Sequence, residues 1–447
     1  MGPSGQPSRR SLGQVEVARV LVLGAYGLIG SACARALVDA GFDVTGLGRS
    51  SQAAQRSNLP VDWVIRDIAQ LTIAEWQDLL AGCDVVVNAA GALQDGARDR
   101  LEAIHVTALK ALTRAAETMP LRVVQISAAG VAEDASTEFF RSKARGDAVI
   151  KRGLSDWVIL RPTLVLAPEA YGGTALLRAA AAIPLVQPKV LPDAMIQTVS
   201  IEDVASAVVR AARKEIAPAT ILDLTEEGTQ SLATLTETMR DWLGVSPPIF
   251  RPTLPDWALR AMSSFADLLG QLGWRSPLRR SAVQVLRDGV RGDPSNWVAT
   301  GGSPCMSLQE TLSRMPATRQ DRVFARVYLA LPLAIATLSF FWVISGLIPF
   351  FDLSGTISIL TDRGAPSWLS ALAVIGGAVL DVALGMAILW RRWAARAAMG
   401  MIALSAAYVL GSLITAPDLW LDPLGPMVKV LPGMMLAGFV ALVLEDR

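Results

Sequence analysis

Three glycines spaced by three, in Gly24-Ala25-Tyr26-Gly27-Leu28-Ile29-Gly30, form the segment of this chain best suited to hold a diphosphate. Glycine permits a tight turn and a close approach of backbone to ligand. A helix that starts there offers free N–H groups and the positive end of its dipole to an anion. A second pair, Arg49-Ser50, closes the next apolar run after Gly48. A cation and a hydroxyl at that point suit a ribose 2′-phosphate, where an acidic residue would accept from the ribose hydroxyls, so NADP(H) is favoured over NAD(H). The competing reading makes Arg49 an ordinary solvated loop arginine. Other chemistries lack the residues they need. His105 is the only histidine, and Cys33, Cys83 and Cys305 lie far apart, which leaves no zinc-finger spacing, no His-based triad and no expected metal site.

The rest of the chain must position these groups. Its 447 residues are 52% hydrophobic and 18% charged, with a mean hydropathy of +0.40, too apolar for a wholly soluble chain; the charges concentrate in residues 1–320. A net charge of +1 implies no general attraction for nucleic acid. Residues 1–17, rich in Gly, Pro, Ser and Arg without an apolar core, read as a disordered tail and not a signal peptide. Residues 19–23 read as a buried parallel strand stopped by Gly24, and residues 31–40 as a helix stopped by Gly41. Strand-like runs at 43–47, 61–65, 84–87, 122–126, 157–160 and 220–224 alternate with helix-like stretches, among them 72–81 and 98–118. That alternation predicts an α/β fold, a Rossmann-type doubly wound parallel sheet with ligand groups at the strand C-termini.

The order of Gly-x-x-Gly-x-x-Gly, Arg49, Asp67-Ile68, Asn88-Ala89-Ala90-Gly91, Ser127 at a strand end, Ser142-Lys143, Arg161-Pro162 and Val199-Ser-Ile-Glu-Asp203 resembles the short-chain dehydrogenase/reductase superfamily. The resemblance is to its atypical, extended-like branch of NAD(P)-binding epimerase/dehydratase-like proteins and complex I accessory subunits, over residues 18–315. It implies that Gly24, Gly27 and Gly30 hold the pyrophosphate, that Asp67 and Ile68 flank the adenine, and that Asn88, Ala89, Ala90 and Gly91 line the nicotinamide-side ribose. Lys143 would hydrogen-bond that ribose and Ser127 would orient a substrate carbonyl.

Two departures bear on chemistry. Active members carry a tyrosine four residues before the lysine, as proton donor beside the ammonium; here that residue is Phe139, which has no proton to give. Tyr171, after the Arg161-Pro162 turn, is a candidate to reach the site. His105 stands where the superfamily commonly has Asn: either it relays protons or it is packed and satisfied. Nucleotide binding, which uses other residues, is untouched by both changes.

Residues 215–320 read as a small lobe completing the nucleotide domain (18–320). Its Trp257, Trp274 and Trp297 either bind an aromatic or isoprenoid substrate or simply pack. Four apolar segments follow, at 327–351, 368–390, 394–416 and 427–444; three have the 20 or more residues that cross a hydrocarbon core and the last is nearly as long. Arginines 314, 319, 322 and 326 precede the first, and Arg391, Arg392 and Arg396 lie between the second and third. The outer loops hold Arg363 alone, with Lys429 just inside the fourth. Cationic flanks stay inside, so the reading is a multi-pass inner-membrane protein with the nucleotide domain and both termini cytoplasmic. Trp368, Trp390, Trp393 and Trp420 fall at span ends, as an interfacial belt would. Asp381 within the second span demands a partner, a proton or a cavity; Lys429 either pairs with it through helix tilt or snorkels outward.

Ser345-Gly346, Gly376-Gly377, Asp381 and Leu421-Asp-Pro-Leu-Gly-Pro-Met-Val-Lys429-Val-Leu-Pro432 give residues 322–447 a resemblance to the DoxX-like family of four-helix membrane domains. That resemblance implies a redox neighbourhood. The whole reading is thus a bilayer-anchored NAD(P)H-binding oxidoreductase acting on a quinone or other lipophilic substrate, or a catalytically silent nucleotide-bound module that stabilises or regulates a membrane redox complex.

Overall fold

Along the strand Arg19–Leu23, Val20 and Val22 enter one hydrophobic cluster and Leu21 and Leu23 another, so both faces of the strand are buried. The same alternation recurs in its neighbours, the signature of a parallel sheet covered on both sides. The computed structural model describes residues 17–96, 100–274, 276–423 and 425–445. Residues 1–16 of the expected tail, and the expected start of a helix at Arg98, lie outside these.

Seven strands form the sheet: β1 (Arg19–Leu23), β2 (Asp43–Gly48), β3 (Asp62–Ile65), β4 (Val85–Asn88), β5 (Arg122–Ile126), β6 (Trp157–Pro162) and β7 (Thr220–Leu224). All are parallel, in the order β7-β6-β5-β4-β1-β2-β3. Every one coincides with an expected strand to within two residues. The order reverses between β1 and β4, which opens the crevice at their C-terminal ends where this architecture receives ligands. Helices Leu28–Asp39 and Ile201–Ala212 supply Cys33, Ala34, Leu37, Val204 and Val208 to one side. Helices Ile73–Leu80, Ala108–Ala116 and Glu138–Gly153 supply Trp76, Leu80, Leu109, Leu112 and Ile150 to the other. Each Val, Leu or Ile among them removed from water contributes roughly 1.5–3 kcal/mol. The stretch before Ala108 is a π-helical turn, Ala103–Thr107, where helical composition alone predicts regular α-helix.

The lobe after the sheet carries helices Leu232–Trp242, Asp256–Gln271, Arg280–Asp288, Ser295–Ala299 and Leu308–Arg314. Trp257, Trp274 and Trp297, three of its four tryptophans, have three fates. Trp297 is buried with its Nε1–H donated to the Ser303 carbonyl (2.7 Å). Trp274 donates to the Leu389 carbonyl (2.6 Å) between two apolar helices. Trp257 is exposed.

The C-terminal region contains helices Arg319–Leu347, Ser367–Ala387, Arg391–Thr415 and Val430–Glu445. The first three are long and apolar enough to cross a membrane; the last is a shorter apolar helix, about 24 Å at 1.5 Å per residue. Small residues bring the first two together: a Cβ on Gly346 would lie 2.5 Å from the Ala378 carbonyl oxygen, and one on Gly385 2.9 Å from the Val343 nitrogen. Asp381 accepts from the Tyr408 hydroxyl (2.8 Å), a partner on the third helix, and Gly377 leaves room for that hydroxyl. Lys429 is exposed. The α/β part docks on one end of this bundle. Arg391 N–H donates to the Leu272 carbonyl (3.1 Å), the Arg391 guanidinium reaches the Leu444 carbonyl (3.2 Å), and Arg178 pairs with Asp321 (3.1 Å).

Candidate functional site

The turn after β1 is built around glycine. Gly24 adopts φ +72°, and a Cβ there would sit 2.9 Å from the Ala90 Cα; on Gly30 it would fall 2.2 Å from the Gly24 carbonyl oxygen. These contacts are backbone to backbone and cannot give. The turn therefore presses against Ala89-Ala90 at the end of β4, and helix Leu28–Asp39 begins at Gly27 with no side chain capping its first turn. Its leading N–H groups are left for a ligand.

Tyr26, inside the motif, lies across the end of β2. A Cβ on Gly48 would meet its ring at 2.2 Å, the ring stacks on Trp63 (centroids 6.1 Å), and its hydroxyl accepts from the Arg49 N–H (3.2 Å). The segment Gly48-Arg49 is thereby fixed beside the glycine turn. Ser50 caps helix Ser51–Ser57, its Oγ accepting from the Ala53 N–H (3.2 Å). Asp67 accepts from the Ala69 N–H (3.0 Å) in the turn after β3, and Ile68 is buried in the core.

Beyond β4, Asn88 is buried and fully engaged: its amide donates to Gln125 Oε1 (2.8 Å) and its Oδ1 accepts from the Ala90 N–H (3.2 Å). It shapes the loop Ala89-Ala90-Gly91 that faces the crevice. His105 ties the end of that loop to the next helix. Its Nε2 accepts from the Ala92 N–H (3.3 Å), which leaves the proton on Nδ1, 2.8 Å from Ser142 Oγ; Ser142 in turn donates to the Phe139 carbonyl (3.0 Å). Both ring nitrogens are committed. Burial, helped by the charges of Lys143 and Arg145, holds the imidazole neutral, its pKa pushed down to about 3. The packed reading of His105 fits this geometry.

A neutral buried imidazole makes a falsifiable pH dependence. The unfolded chain takes up a proton near pH 6.5 and the folded one only near pH 3, so this contribution to stability is full above 6.5 and is lost as pH falls toward 3. His105→Gln, which can donate and accept in the same place, should cost about 1–3 kcal/mol at pH 7 and should reduce the drop in unfolding midpoint between neutral pH and pH 5. An undiminished drop would show that His105 does not titrate this way.

Lys143, on helix Glu138–Gly153, is buried, with Nζ donating to the carbonyls of Ile126 (3.0 Å) and Ser127 (3.4 Å) at the end of β5. Burial lowers its pKa to about 8 despite the opposing attraction of Asp147. Phe139 lies one turn earlier, its ring centroid 5.6 Å from Nζ and 6.0 Å from the His105 ring. Ser127 donates to Asp147 Oδ2 (2.8 Å), which also accepts from Arg161 (3.1 Å), and burial raises the Asp147 pKa. Ser127 thus spends its hydroxyl proton inward. Asp147 and Gln125 belong to the site's frame without having been singled out for it in the sequence, and Arg161, noted there only as part of a motif, joins them. For Asp147 a signal existed, since it stands one helical turn after Lys143 on the same face; Gln125 depends on strand register alone. Tyr171 is exposed, at the start of helix Gly172–Ala181.

Residues 24–215 match the model of an NAD(P)H-binding family, and residues 339–438 match that of the DoxX-like family. Among curated proteins none matches this chain. Among solved structures, UDP-glucose 4-epimerase of Thermotoga maritima, crystallised with UDP-glucose, shares 15% identity over 70% of this chain and 99% of its own, with a TM-score of 0.51. The Bordetella bronchiseptica enzyme WbmH in complex with NAD+ shares 19% identity over 67% of this chain and 97% of its own, with a TM-score of 0.50. At that identity the likeness is one of fold. The chain carries an NAD(P)-binding Rossmann domain of epimerase-like architecture, followed by a DoxX-like region whose apolar helices suggest membrane association.

Proposed function

We propose that this protein is a membrane-held oxidoreductase that binds NADPH at the glycine turn and passes reducing equivalents to a quinone or similar lipophilic acceptor at the cytoplasmic face. The observation that carries the reading is the contact of the nucleotide domain's lobe with the end of the apolar bundle, Leu272 to Arg391 and Trp274 to Leu389. In this reading, that contact would hold the nucleotide domain close to the bilayer from which such an acceptor would come. The same end of the bundle carries Arg319, Arg322, Arg326, Arg392 and Arg396, and Leu444 of the last helix returns to Arg391. Four passes with both termini cytoplasmic account for these positions.

In this reading, the first-turn amides of Leu28, Ile29 and Gly30 would hold the pyrophosphate, Arg49 would meet the 2′-phosphate and Lys143 would hydrogen-bond the nicotinamide ribose. The cofactor supplies the hydride. Purified protein in nanodiscs, titrated anaerobically with NADPH and then given a panel of quinones, should oxidise NADPH in the presence of the lipophilic members. Arg49→Asp should weaken NADPH by about tenfold or more and leave NADH nearly unchanged; equal weakening of both would remove Arg49 from the site. Phe139 favours a second reading, a nucleotide-bound module that stabilises a membrane redox complex without turning over. Tight NADPH binding with no acceptor reduced would decide for it.

A further inference from the structure

Helix Asp256–Gln271 is amphipathic in an unusual sense. At 100° per residue Leu259, Ser263 and Ala266 share one face, and these are the buried ones. The opposite face is apolar too: Trp257, Ala261, Phe265 and Leu268 fall within roughly 80° of one another, and Trp257, Phe265 and Leu268 are 69%, 60% and 53% exposed. A helix meant for water on that side would carry charge there. Two aromatics and a leucine in one exposed stripe, edged by Ser264, which accepts from the Arg280 guanidinium (2.7 Å), with Arg260 beyond it, are instead the composition of a helix that lies at a lipid interface.

Its position names the occupant. The helix ends at the rim of the apolar bundle, where the Leu272 carbonyl accepts from Arg391 N–H (3.1 Å) and Trp274 Nε1–H donates to the Leu389 carbonyl (2.6 Å). Trp390, Trp393 and Arg392 line a groove at this same rim, and the Trp393 ring has the Arg392 and Arg396 guanidiniums at 5.2 Å each. Aromatic rings with arginines over them mark headgroup depth. Starting from that depth, 16 residues of helix run about 24 Å.

We infer that helix Asp256–Gln271 lies in the headgroup region of the bilayer, with Trp257, Phe265 and Leu268 inserted among the acyl chains. The inference rests on the reading of the C-terminal helices as membrane spans. It also gives the proposed lipophilic substrate a route. Directly after the helix, the Ser276 carbonyl accepts from Gln94 and Arg279 donates to the Asp95 carbonyl (3.3 and 3.1 Å), joining the lobe to the loop that follows Asn88-Ala89-Ala90-Gly91. An apolar molecule leaving the bilayer under this helix is delivered to the mouth of the nucleotide crevice.

The test uses the full chain in nanodiscs, with the three cysteines replaced by alanine and a nitroxide label introduced singly through Trp257→Cys, Phe265→Cys, Leu268→Cys, Phe340→Cys or Glu117→Cys. Phe340 is 70% exposed within the first apolar helix and Glu117 is exposed on the nucleotide domain. The ratio of collisions with oxygen to those with a water-soluble nickel chelate should be several-fold higher at 257, 265 and 268 than at 117, approaching the value at 340. Water-like ratios at the three helix positions with a lipid-like ratio at 340 would overturn the inference and leave the spans standing. A water-like ratio at 340 as well would overturn both. Labels at the three positions shielded from both reagents would show a covering protein surface, and would overturn it too.

Discussion

Gly30→Ala is expected to abolish useful NADPH binding, by at least about 100-fold or 2.7 kcal/mol. The added methyl would fall 2.2 Å from the Gly24 carbonyl oxygen and 2.9 Å from its carbon. Neither is the end of a flexible side chain, so relief requires the glycine turn to move away from the helix start. That movement separates the two parts of the cradle, the turn backbone and the first-turn amides. Gly27→Ala is the graded control, since its Cβ would meet the same oxygen at 3.2 Å, a contact relieved by a few tenths of an ångström. It should weaken binding by about tenfold at most. Fluorescence titration with NADPH, alongside elution volume and helical content to establish that each variant is folded, reads both. Wild-type affinity in a folded Gly30→Ala protein would place the nucleotide elsewhere.

The sheet was legible because its central strands, buried on both faces, are written as short runs of Val, Ile and Leu ended by Gly24, Asn88, Ser127 or Pro162. The four apolar helices were legible for the same reason of concentration, although the last came out shorter than its hydrophobic run. What the sequence withheld depends on register and on the direction of side chains. Asn88 meets Gln125 only because β4 and β5 pair with those residues opposite. His105 reaches Ala92 and Ser142 from a π-helical turn, which no helical periodicity announces. Asp381 called for a partner, a proton or a cavity; its partner, Tyr408, lies 27 residues away on another helix and carries no charge to suggest it. In the lobe, composition disclosed Trp257, Trp274 and Trp297, but only the fold distinguished the buried Trp297, the docked Trp274 and the exposed Trp257.

Phe139→Tyr carries the largest expected gain. In the wild type the ring beside Lys143 offers no proton, so a ketone bound near the nicotinamide would accept hydride without a phenol placed to protonate it. His105 does not help, for its one proton is already donated to Ser142. A tyrosine in the same rotamer extends its hydroxyl from a ring whose centroid is 5.6 Å from Lys143 Nζ. With the lysine pKa near 8, the ammonium persists at neutral pH and stabilises the phenolate left after proton transfer. A positioned general acid contributes roughly 10²–10⁴-fold, so NADPH-dependent reduction of a simple ketone should rise at least about 100-fold above the wild-type background. Adding Lys143→Met should remove the gain. Quinone reduction should change far less, because a quinone takes up its protons from water after the electrons arrive. Robust ketone reduction by the wild type would mean that another acid serves the crevice. A folded, NADPH-binding Phe139→Tyr protein that reduces neither ketone nor quinone would turn the reading toward a nucleotide-bound module whose work is structural.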